Sequence, residues 1–489
     1  MNMPDGDFVL ATPESLGIPS GAVLEMLDEI RKHNIPLHSL IMMRHGRVAA
    51  EGYCPPFDKD RKHRMYSVSK SITSVAVGML IGEGRLSLDS RVADFFPEYI
   101  TEDVTPYAHL ATVRHLLMMA TFNECNAYTW TDDDFVRVFF QNDYPKQMPG
   151  TVFHYDTNAT VVLCAIVEKI TGMKLLDYMR PLLDELGISP DVWCVETPEG
   201  RSWTGSGILF TPRDLARIAL LCLHRGEWNG KQLVDRDYML QATTKQINNY
   251  VSDWGIARCG YGYQFWMVKD GFACCGMGGQ FAFMFPEKDT VIIFTADAQH
   301  INAGDDFMRL ATERLMDQLA DGPLPENSVM QAKLTDALQL SLPLLPGSPF
   351  SPMAEKVSGV RYVFDENRWQ FDWMQLTFEG DCVTVRFRKR GEELSIPLYL
   401  GRYGDFLFPE KFAGRKIDVW DTNYRCVSTA AWDSGHTLIG EVFSVDDYLG
   451  SIRMQFTFVD DTLTVFMTAA AENFFQDYRG YLAGRMAHD

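Results

Sequence analysis

The 489-residue sequence lacks the features that mark membrane-spanning, signal-bearing and disulfide-rich proteins. Its longest apolar run, near residues 75–81, is too short to cross a bilayer core of about 30 Å. The first ten residues, MNMPDGDFVL, contain neither a basic stretch nor an apolar stretch of the secretory type. Ten cysteines are present without any CxxC spacing, which argues against a disulfide framework. We therefore expect a cytoplasmic location.

Positive charge is also scarce. Lysine and arginine number 45 against 65 acidic residues, which gives a formal net charge of −20. Phosphate backbones and anionic lipid headgroups would be repelled by such a chain, so we predict neither a nucleic-acid partner nor a membrane partner. The remaining partner types are a small-molecule substrate and further copies of the chain in a homo-oligomer.

Two common hydrolase signatures are absent as well. There is no G-x-S-x-G elbow, which argues against an α/β-hydrolase with a Ser-His-Asp triad. There is no H-E-x-x-H sequence or other cluster of metal ligands, so no metal site and no cofactor are predicted.

What the sequence does contain is a proline-rich boundary, LSLPLLPGSPFSPM, at residues 340–353. Four prolines within fourteen residues break regular structure and stiffen the chain, as a linker requires. We predict a catalytic domain at 1–340, a linker at 341–354 and a C-terminal domain at 355–489.

The first domain has strand patterns at both ends and helical patterns between them. Residues 37–53 predict two strands around an RHGR turn, and residues 281–296 predict two more around PEKD. Apolar spacing of three and four, as in DLARIALLCLHRG, predicts helices in between. The expected fold class is α/β (α+β), with one mostly antiparallel sheet covered by helices.

The C-terminal domain has alternating strand patterns throughout and is predicted to be all-β. MQLTFEGDCVTV, starting at Met374, is echoed by MQFTFVDDTLTV, starting at Met454. Two similar hairpins could be neighbours that close a barrel, or they could share a pattern by chance. The sequence favours neither.

The first motif that carries chemistry is YSVSKSITSVAVGML, which contains Ser67 and Lys70. If a helix starts at Ser67, the two side chains share one face near its N-terminus. A serine hydroxyl needs a nearby base, and burial by the following apolar run would help the lysine amine to be neutral. The spacing alone favours an N-cap serine with an ordinary surface lysine, so the other motifs must decide.

Two further segments supply candidates. Tyr155 precedes an apolar helix and could relay a proton, although alone it could be a core tyrosine. In CCGMGGQFAF, from Cys274, glycines at the start of a strand would let a backbone N–H approach an oxyanion. Alone, this stretch could be an ordinary glycine-rich strand.

In this order the three segments resemble the serine beta-lactamase and penicillin-recognising superfamily. The resemblance is to its class C-like branch of esterases, D-amino-acid peptidases and 6-aminohexanoate-dimer hydrolases. The family's S-x-x-K matches Ser67 to Lys70, its tyrosine motif matches Tyr155-Asp156-Thr157, and its third motif falls on Gly276-Met277-Gly278. The resemblance covers about residues 10–320 and implies a beta-lactamase-like sheet flanked by helices. The β domain resembles the lipocalin-like barrel of some members.

The resemblance also implies roles. Ser67 would be the acylated nucleophile, Lys70 the proton acceptor and Tyr155 the general base and acid. The oxyanion hole would combine the backbone N–H of Ser67 with that of Met277, or of Gly279 if the strand register is shifted.

The sequence departs from the family at the third motif. Relatives that hold a substrate carboxylate carry K-T-G or H-x-G there, whereas Gly-Met-Gly has no charge. A carboxylate docked there would lose hydration without gaining an ion pair, so we expect a largely apolar acyl substrate. Thr157 replaces the usual Asn or Ser, and Asn158 is the alternative donor. Candidate residues of the substrate pocket are Thr157, Asn158, Tyr128, Trp130, Trp203, Trp254 and Gly278.

The predicted function is that of a serine hydrolase of the esterase or amidase type. One alternative is a binding or scaffold protein that keeps the fold without turnover. Within enzymes, the alternatives are a D-aminopeptidase and a beta-lactamase.

Overall fold

The computed structural model describes residues 8–124, 128–129, 132–250, 258–299, 303–411, 423–471 and 475–487. The chain divides into two compact units, Met1–Ser341 and Leu342–Asp489. No helix in these described ranges combines the length and the apolar character needed to span a membrane.

The first unit contains most of the helices. Its α-helices are α1 (Ser20–Lys32), α2 (Val68–Gly82), α3 (Val113–Leu117), α4 (Phe135–Phe140), α5 (Thr157–Thr171), α6 (Leu175–Glu185), α7 (Pro212–Leu223), α8 (Arg236–Ala242), α9 (Ala303–Arg309) and α10 (Ser328–Ala337). A π-helical turn, Leu310–Leu315, continues α9. Short 3-10 helices lie at Glu14–Leu16, Val92–Phe95, Pro97–Tyr99, Pro106–Leu110, Pro286–Lys288 and Met316–Gln318.

The strands of this unit are β1 (Leu37–Arg44), β2 (Arg47–Tyr53), β3 (His63–Arg64), β4 (Trp193–Cys194), β5 (Ile208–Phe210), β6 (Glu227–Trp228), β7 (Lys231–Gln232), β8 (Trp266–Val268), β9 (Gly271–Gly276), β10 (Gln280–Phe285) and β11 (Thr290–Ala296). Six of them form one antiparallel sheet in the order β2-β1-β11-β10-β9-β8. A small sheet in the order β3-β5-β4 lies apart from it. The predicted antiparallel sheet from distant segments is therefore confirmed.

Two core helices, α2 and α5, begin directly after residues that the sequence analysis singled out. Helix α2 is buried on almost every side, as expected for a helix with small and apolar residues all round. Helix α5 begins where the Asp156 carboxylate accepts a hydrogen bond from Asn158 N at 2.9 Å, and it ends at Gly172 in the left-handed conformation. These defined helix starts fix the residues that immediately precede them.

In its described residues, the second unit has one short helix, α11 (Met353–Val357), and ten strands. These are β12 (Arg361–Phe364), β13 (Phe371–Glu379), β14 (Cys382–Lys389), β15 (Glu392–Tyr399), β16 (Gly404–Leu407), β17 (Arg425–Ser434), β18 (Thr437–Val445), β19 (Leu449–Val459), β20 (Thr462–Ala471) and β21 (Gly480–Met486).

The ten strands form one antiparallel sheet in the order β15-β14-β13-β12-β21-β20-β19-β18-β17-β16. The sheet curls until β15 contacts β17, where Ser428 Oγ donates to Pro397 O at 2.6 Å. The result is a nearly closed barrel with an apolar interior, which confirms the predicted all-β domain.

The two similar hairpins are not neighbours in the barrel. The hairpin of β13 and β14 is separated from that of β19 and β20 by β12 and β21. Closure uses β15 and β17 instead, so the first of the two interpretations of the repeat is wrong. Local strand patterns specify hairpins but not which distant strands pair.

Candidate active site

Ser67 and Lys70 face each other at the start of α2. Ser67 occupies the N-cap position and is half-buried, whereas Lys70 is only 1% exposed. The side-chain nitrogen Nζ of Lys70 lies 3.0 Å from Ser67 Oγ. The spacing of three residues along one helix face therefore produces a direct hydrogen bond between the two side chains.

Tyr155 completes the cluster from the segment before α5. Its hydroxyl is hydrogen-bonded to the Ser67 side chain, and Lys70 Nζ lies 5.1 Å from the centroid of its ring. Burial raises the pKa of the phenol, and the hydrogen bond to Ser67 only partly opposes this shift. The phenol is therefore neutral in the resting site.

Aromatic packing holds the Tyr155 ring in place. Trp266 stacks on it with a centroid distance of 5.3 Å, and Tyr261 meets it edge-on at 6.4 Å. Both partners are almost fully buried. Because the ring is gripped on two sides, its hydroxyl has little freedom to move away from Ser67.

A backbone carbonyl also binds Lys70. Nζ donates to Gly205 O at 2.5 Å, in the loop before β5. A side chain at position 205 would meet Thr157 Cγ2 at 2.5 Å, so this loop also packs tightly against the start of α5. The glycine thus lets one loop contact both the lysine and the tyrosine segment.

Asp156 places a buried carboxyl group beside the cluster. It has no exposed surface and accepts hydrogen bonds from Asn158 N at 2.9 Å and from Thr121 Oγ1 at 3.3 Å. Burial raises its pKa to about 7, while the nearby charge of Lys70 opposes the rise. This carboxyl group therefore titrates near neutral pH within range of the lysine.

The third motif forms the turn between β9 and β10. Gly276 pairs with Gln280, and the turn residues are Met277, Gly278 and Gly279. A methyl group on Gly276 would collide with Met65 O, two residues before Ser67, so the strand end lies directly against the segment that leads into Ser67. Gly279 N donates to Gly276 O at 3.3 Å within the turn.

The other predicted pocket residues are more dispersed. Trp203 is 1% exposed and packs over the Arg64 guanidinium, and Tyr128 is buried against Phe135 with parallel rings. Asn158 is fully buried in α5. Their roles in a substrate pocket stay predictions, as do those of Thr157 and Gly278. The predictions at Trp130 and Trp254 fall outside the described residues.

Sequence reasoning missed three contributors. The Gly205 carbonyl, the aromatic pair Tyr261 and Trp266, and the Asp156 carboxyl group were not predicted. Only the GYGYQFWM and GSG segments gave a signal, because glycines beside aromatic residues are typical of close packing.

Residues 23–314 match the family described as Beta-lactamase. This match covers more than half of the sequence. The chain belongs to the beta-lactamase family. It is accordingly a serine hydrolase of the beta-lactamase superfamily, as predicted.

Two relatives are similar in sequence. A 6-aminohexanoate-dimer hydrolase from Paenarthrobacter ureafaciens is 25% identical over 279 residues, which cover 52% of this chain and 71% of the relative. Penicillin-binding protein 4 from Amycolatopsis lactamdurans is 26% identical over 315 residues, which cover 53% and 80%. The predicted class C-like branch is thereby confirmed.

A solved structure shares the fold of this beta-lactamase-family chain. It is a Bacillus anthracis protein assigned provisionally as a 6-aminohexanoate-dimer hydrolase, with a TM-score of 0.50 and 20% sequence identity. The alignment covers 66% of this chain and 91% of that protein.

Proposed function

We propose that the chain hydrolyses a small, largely apolar ester or amide through an acyl-enzyme on Ser67, with Lys70 and Tyr155 as its acid and base. The observation that carries this proposal is the 3.0 Å hydrogen bond between Lys70 Nζ and Ser67 Oγ, with the Tyr155 hydroxyl bonded to the same serine. A hydroxyl in contact with both a buried amine and a phenol has the arrangement of an activated nucleophile.

In the first half-reaction Ser67 Oγ attacks the substrate carbonyl carbon, and its proton passes to the neutral amine of Lys70. The tetrahedral oxyanion accepts hydrogen bonds from the backbone N–H groups of Ser67 and Met277. Gly279 N already donates to Gly276 O, which supports Met277 as the second donor over Gly279. The carbon–heteroatom bond then breaks, and the leaving group takes a proton from the phenol of Tyr155.

In the second half-reaction a water molecule attacks the acyl carbon and gives one proton back to the Tyr155 oxygen. The bond between the acyl carbon and Ser67 Oγ then breaks, Ser67 Oγ takes the proton held by Lys70, and the carboxylic acid departs. Because burial raises the pKa of Tyr155, we assign the initial proton acceptance to Lys70 and a relay role to the neutral phenol.

The proposed substrate class follows from the third motif. Met277, Gly278 and Gly279 bring no charged side chain to the turn, and Met277 is 38% exposed. Such a turn favours an apolar acyl group over a carboxylate. One similar protein is named a 6-aminohexanoate-dimer hydrolase, and the two amino-acid units of such a dimer are joined by an amide, which supports testing amides beside esters. Nine free thiols among the described cysteines are consistent with the cytoplasmic location that we propose.

Covalent labelling tests the proposal. A fluorophosphonate should label the parent chain, and labelling should disappear in Ser67→Ala. The two proteins should then be compared on p-nitrophenyl esters, D-aminoacyl anilides, nylon-type oligomers and nitrocefin. We expect turnover of esters or amides and little turnover of nitrocefin, whose carboxylate lacks a cation at the third motif.

The outcomes separate the alternatives. A parent chain that neither labels nor turns over any substrate would support the non-catalytic binding protein. Turnover of D-aminoacyl anilides or nitrocefin alone would favour a D-aminopeptidase or a beta-lactamase. Labelling that persists in Ser67→Ala would refute the assignment of the nucleophile.

A further inference from the structure

Arg64 is a buried cation three residues before Ser67. It has no exposed surface and lies on β3, which pairs with β5. Its guanidinium carbon lies 4.6 Å from the centroid of the Tyr66 ring and 4.9 Å from that of Trp203. A guanidinium held between two aromatic rings is fixed in position by cation–π attraction and by packing.

The same guanidinium binds the loop that holds Lys70. Arg64 Nε donates to Ser206 O at 2.8 Å, and Lys70 Nζ donates to Gly205 O at 2.5 Å. These are consecutive carbonyls of residues 203–208, which we call the carbonyl strap. The arginine and the lysine therefore bind adjacent peptide groups of one short segment.

Two further hydrogen bonds join the carbonyl strap to the nucleophile segment. Met65 N donates to Ile208 O at 2.8 Å, and Ile208 N donates to Ser69 Oγ at 3.1 Å. Hydrogen bonds therefore join the carbonyl strap to four residues between positions 64 and 70, namely Arg64, Met65, Ser69 and Lys70. Any shift of the strap would move the acceptor of Lys70 relative to Ser67.

Arg64 also contacts the residue that precedes the nucleophile. Tyr66 has a left-handed backbone with φ of +46°, which is unfavourable for a bulky side chain. Such conformations persist only where the surroundings hold them. Its ring packs against the guanidinium, so one side chain contacts both the strap and the bend that orients Ser67.

We propose that Arg64 is a positioning residue that sets the distance between Lys70 and Ser67, acting through the carbonyl strap and Tyr66. This inference rests on the proposed function. Arg64 does not touch the substrate. It acts on the geometry of the reacting pair, and a displacement of about 1 Å at such a pair can slow a reaction by about 100-fold.

The test uses fluorophosphonate labelling of the full chain, with the rate at saturating probe measured separately from the probe concentration at half-saturation. Arg64→Met should lower the saturating rate by about 10- to 100-fold. The half-saturating concentration should change by less than about 3-fold, because the residue does not bind the probe. The saturating rate of Arg64→Lys should lie between those of Arg64→Met and the parent, because a lysine ammonium keeps the charge but lacks the planar guanidinium group.

Arg44 provides a matched control. It is 3% exposed and donates to the carbonyls of Leu16 and Ala320, at 2.8 and 2.7 Å, but it contacts no residue of the site. We expect both Arg44→Met and Arg64→Met to lower the Tm. Arg44→Met should leave the saturating rate of the folded protein within about 2-fold of the parent. A merely structural role for Arg64 would make the two variants alike.

Three results would overturn the inference. In the first, Arg64→Met is labelled at the parental saturating rate. In the second, Arg44→Met loses as much of the saturating rate as Arg64→Met does. In the third, Arg64→Met changes only the half-saturating concentration of the probe. If Arg64→Met does not fold, Arg64→Lys decides alone, since a parental saturating rate in that variant would refute the role. Absence of Ser67-dependent labelling in the parent would overturn the proposed function as well, whereas the three results above leave it intact.

Discussion

Gly205→Ala is expected to slow the acylation of Ser67, because position 205 has no room for a side chain. A Cβ atom there would lie 2.5 Å from Thr157 Cγ2 and 3.6 Å from Trp203 Nε1. Ordinary carbon contacts are about 3.5–4.0 Å, so the two segments must separate by about 1 Å. Either the Gly205 carbonyl moves away from Lys70, or Thr157 moves together with the neighbouring Tyr155.

Both movements disturb the proton path. The Lys70 side-chain nitrogen is held 2.5 Å from Gly205 O and 3.0 Å from Ser67 Oγ, so a shift of about 1 Å breaks at least one of these contacts. We expect the acylation rate to fall by about 10- to 100-fold. We expect the affinity for the ester to change less than the acylation rate, because the displaced carbonyl is the acceptor of Lys70.

The assay is single-turnover acylation by a p-nitrophenyl ester, with folding checked by circular dichroism and Tm. Thr157→Ser removes the Cγ2 methyl group that the new Cβ meets, so Gly205→Ala with Thr157→Ser should regain most of the rate. Gly21→Ala is the control, because a Cβ at position 21 in α1 meets nothing within 4 Å. It should leave acylation unchanged and stabilise the protein by up to about 1 kcal/mol.

Two outcomes would refute this reasoning. If Gly205→Ala acylates at the parental rate, the close contact does not control the position of Lys70. If the double variant is as slow as the single variant, the loss comes from somewhere other than the contact with Thr157.

Three further predictions concern charge. Acylation should slow toward the acid end of the range from about pH 5 to 9 as the Lys70 amine is protonated, since burial keeps the Tyr155 phenol protonated throughout; a flat pH–rate profile would contradict the assignment. Burial raises the pKa of Asp156 to about 7 from 3.8, so the group stabilises the fold only while it is protonated. Its contribution to the free energy of unfolding should fall by about 4 kcal/mol between about pH 4 and 7. Asp156→Asn should not show this fall. Urea unfolding of parent and variant checks this, and a difference between them that does not vary with pH would count against it. Lys389→Met should destabilise the C-terminal unit by about 3 kcal/mol, because it leaves Glu410, 2.7 Å away, without its buried cation; denaturant unfolding measures the loss, and a parental midpoint would be inconsistent with it.

The fold was predictable where the signal is local. Turns such as Arg44 to Arg47, the strands around them and the helix that begins after Thr211 follow from residue patterns within about ten positions. The order of strands in the barrel was not predictable, because many pairings of similar hairpins satisfy the same local pattern. The all-β character of the domain was therefore predictable from the sequence, but the pairing of its distant strands was not.

The sequence predicted the members of the site whose side chains are reactive, but not the residues that surround them. Ser67, Lys70 and Tyr155 stand out because each needs a partner to be useful, and the structure brings the three together. Asp156 was passed over because a carboxylate before a helix is typical of an N-cap, a role that it also fills. Its burial next to a lysine depends on Thr121 and α2, which no local pattern reports.

Glycines mark where the three distant segments of the site meet. Gly205 lies against Thr157, Gly276 lies against Met65 O, and Gly279 would bring a side chain to 2.9 Å from Ala296. At each position a backbone approaches another segment more closely than any side chain permits. Proton transfer requires donor and acceptor within about 3 Å, and positions without a Cβ help segments from different parts of the chain to approach each other that closely. The glycines at 205 and 276 thus support the close approach on which the proposed chemistry depends. Gly205 O accepts a hydrogen bond from Lys70, so a substitution at Gly205 should lower activity before it unfolds the protein.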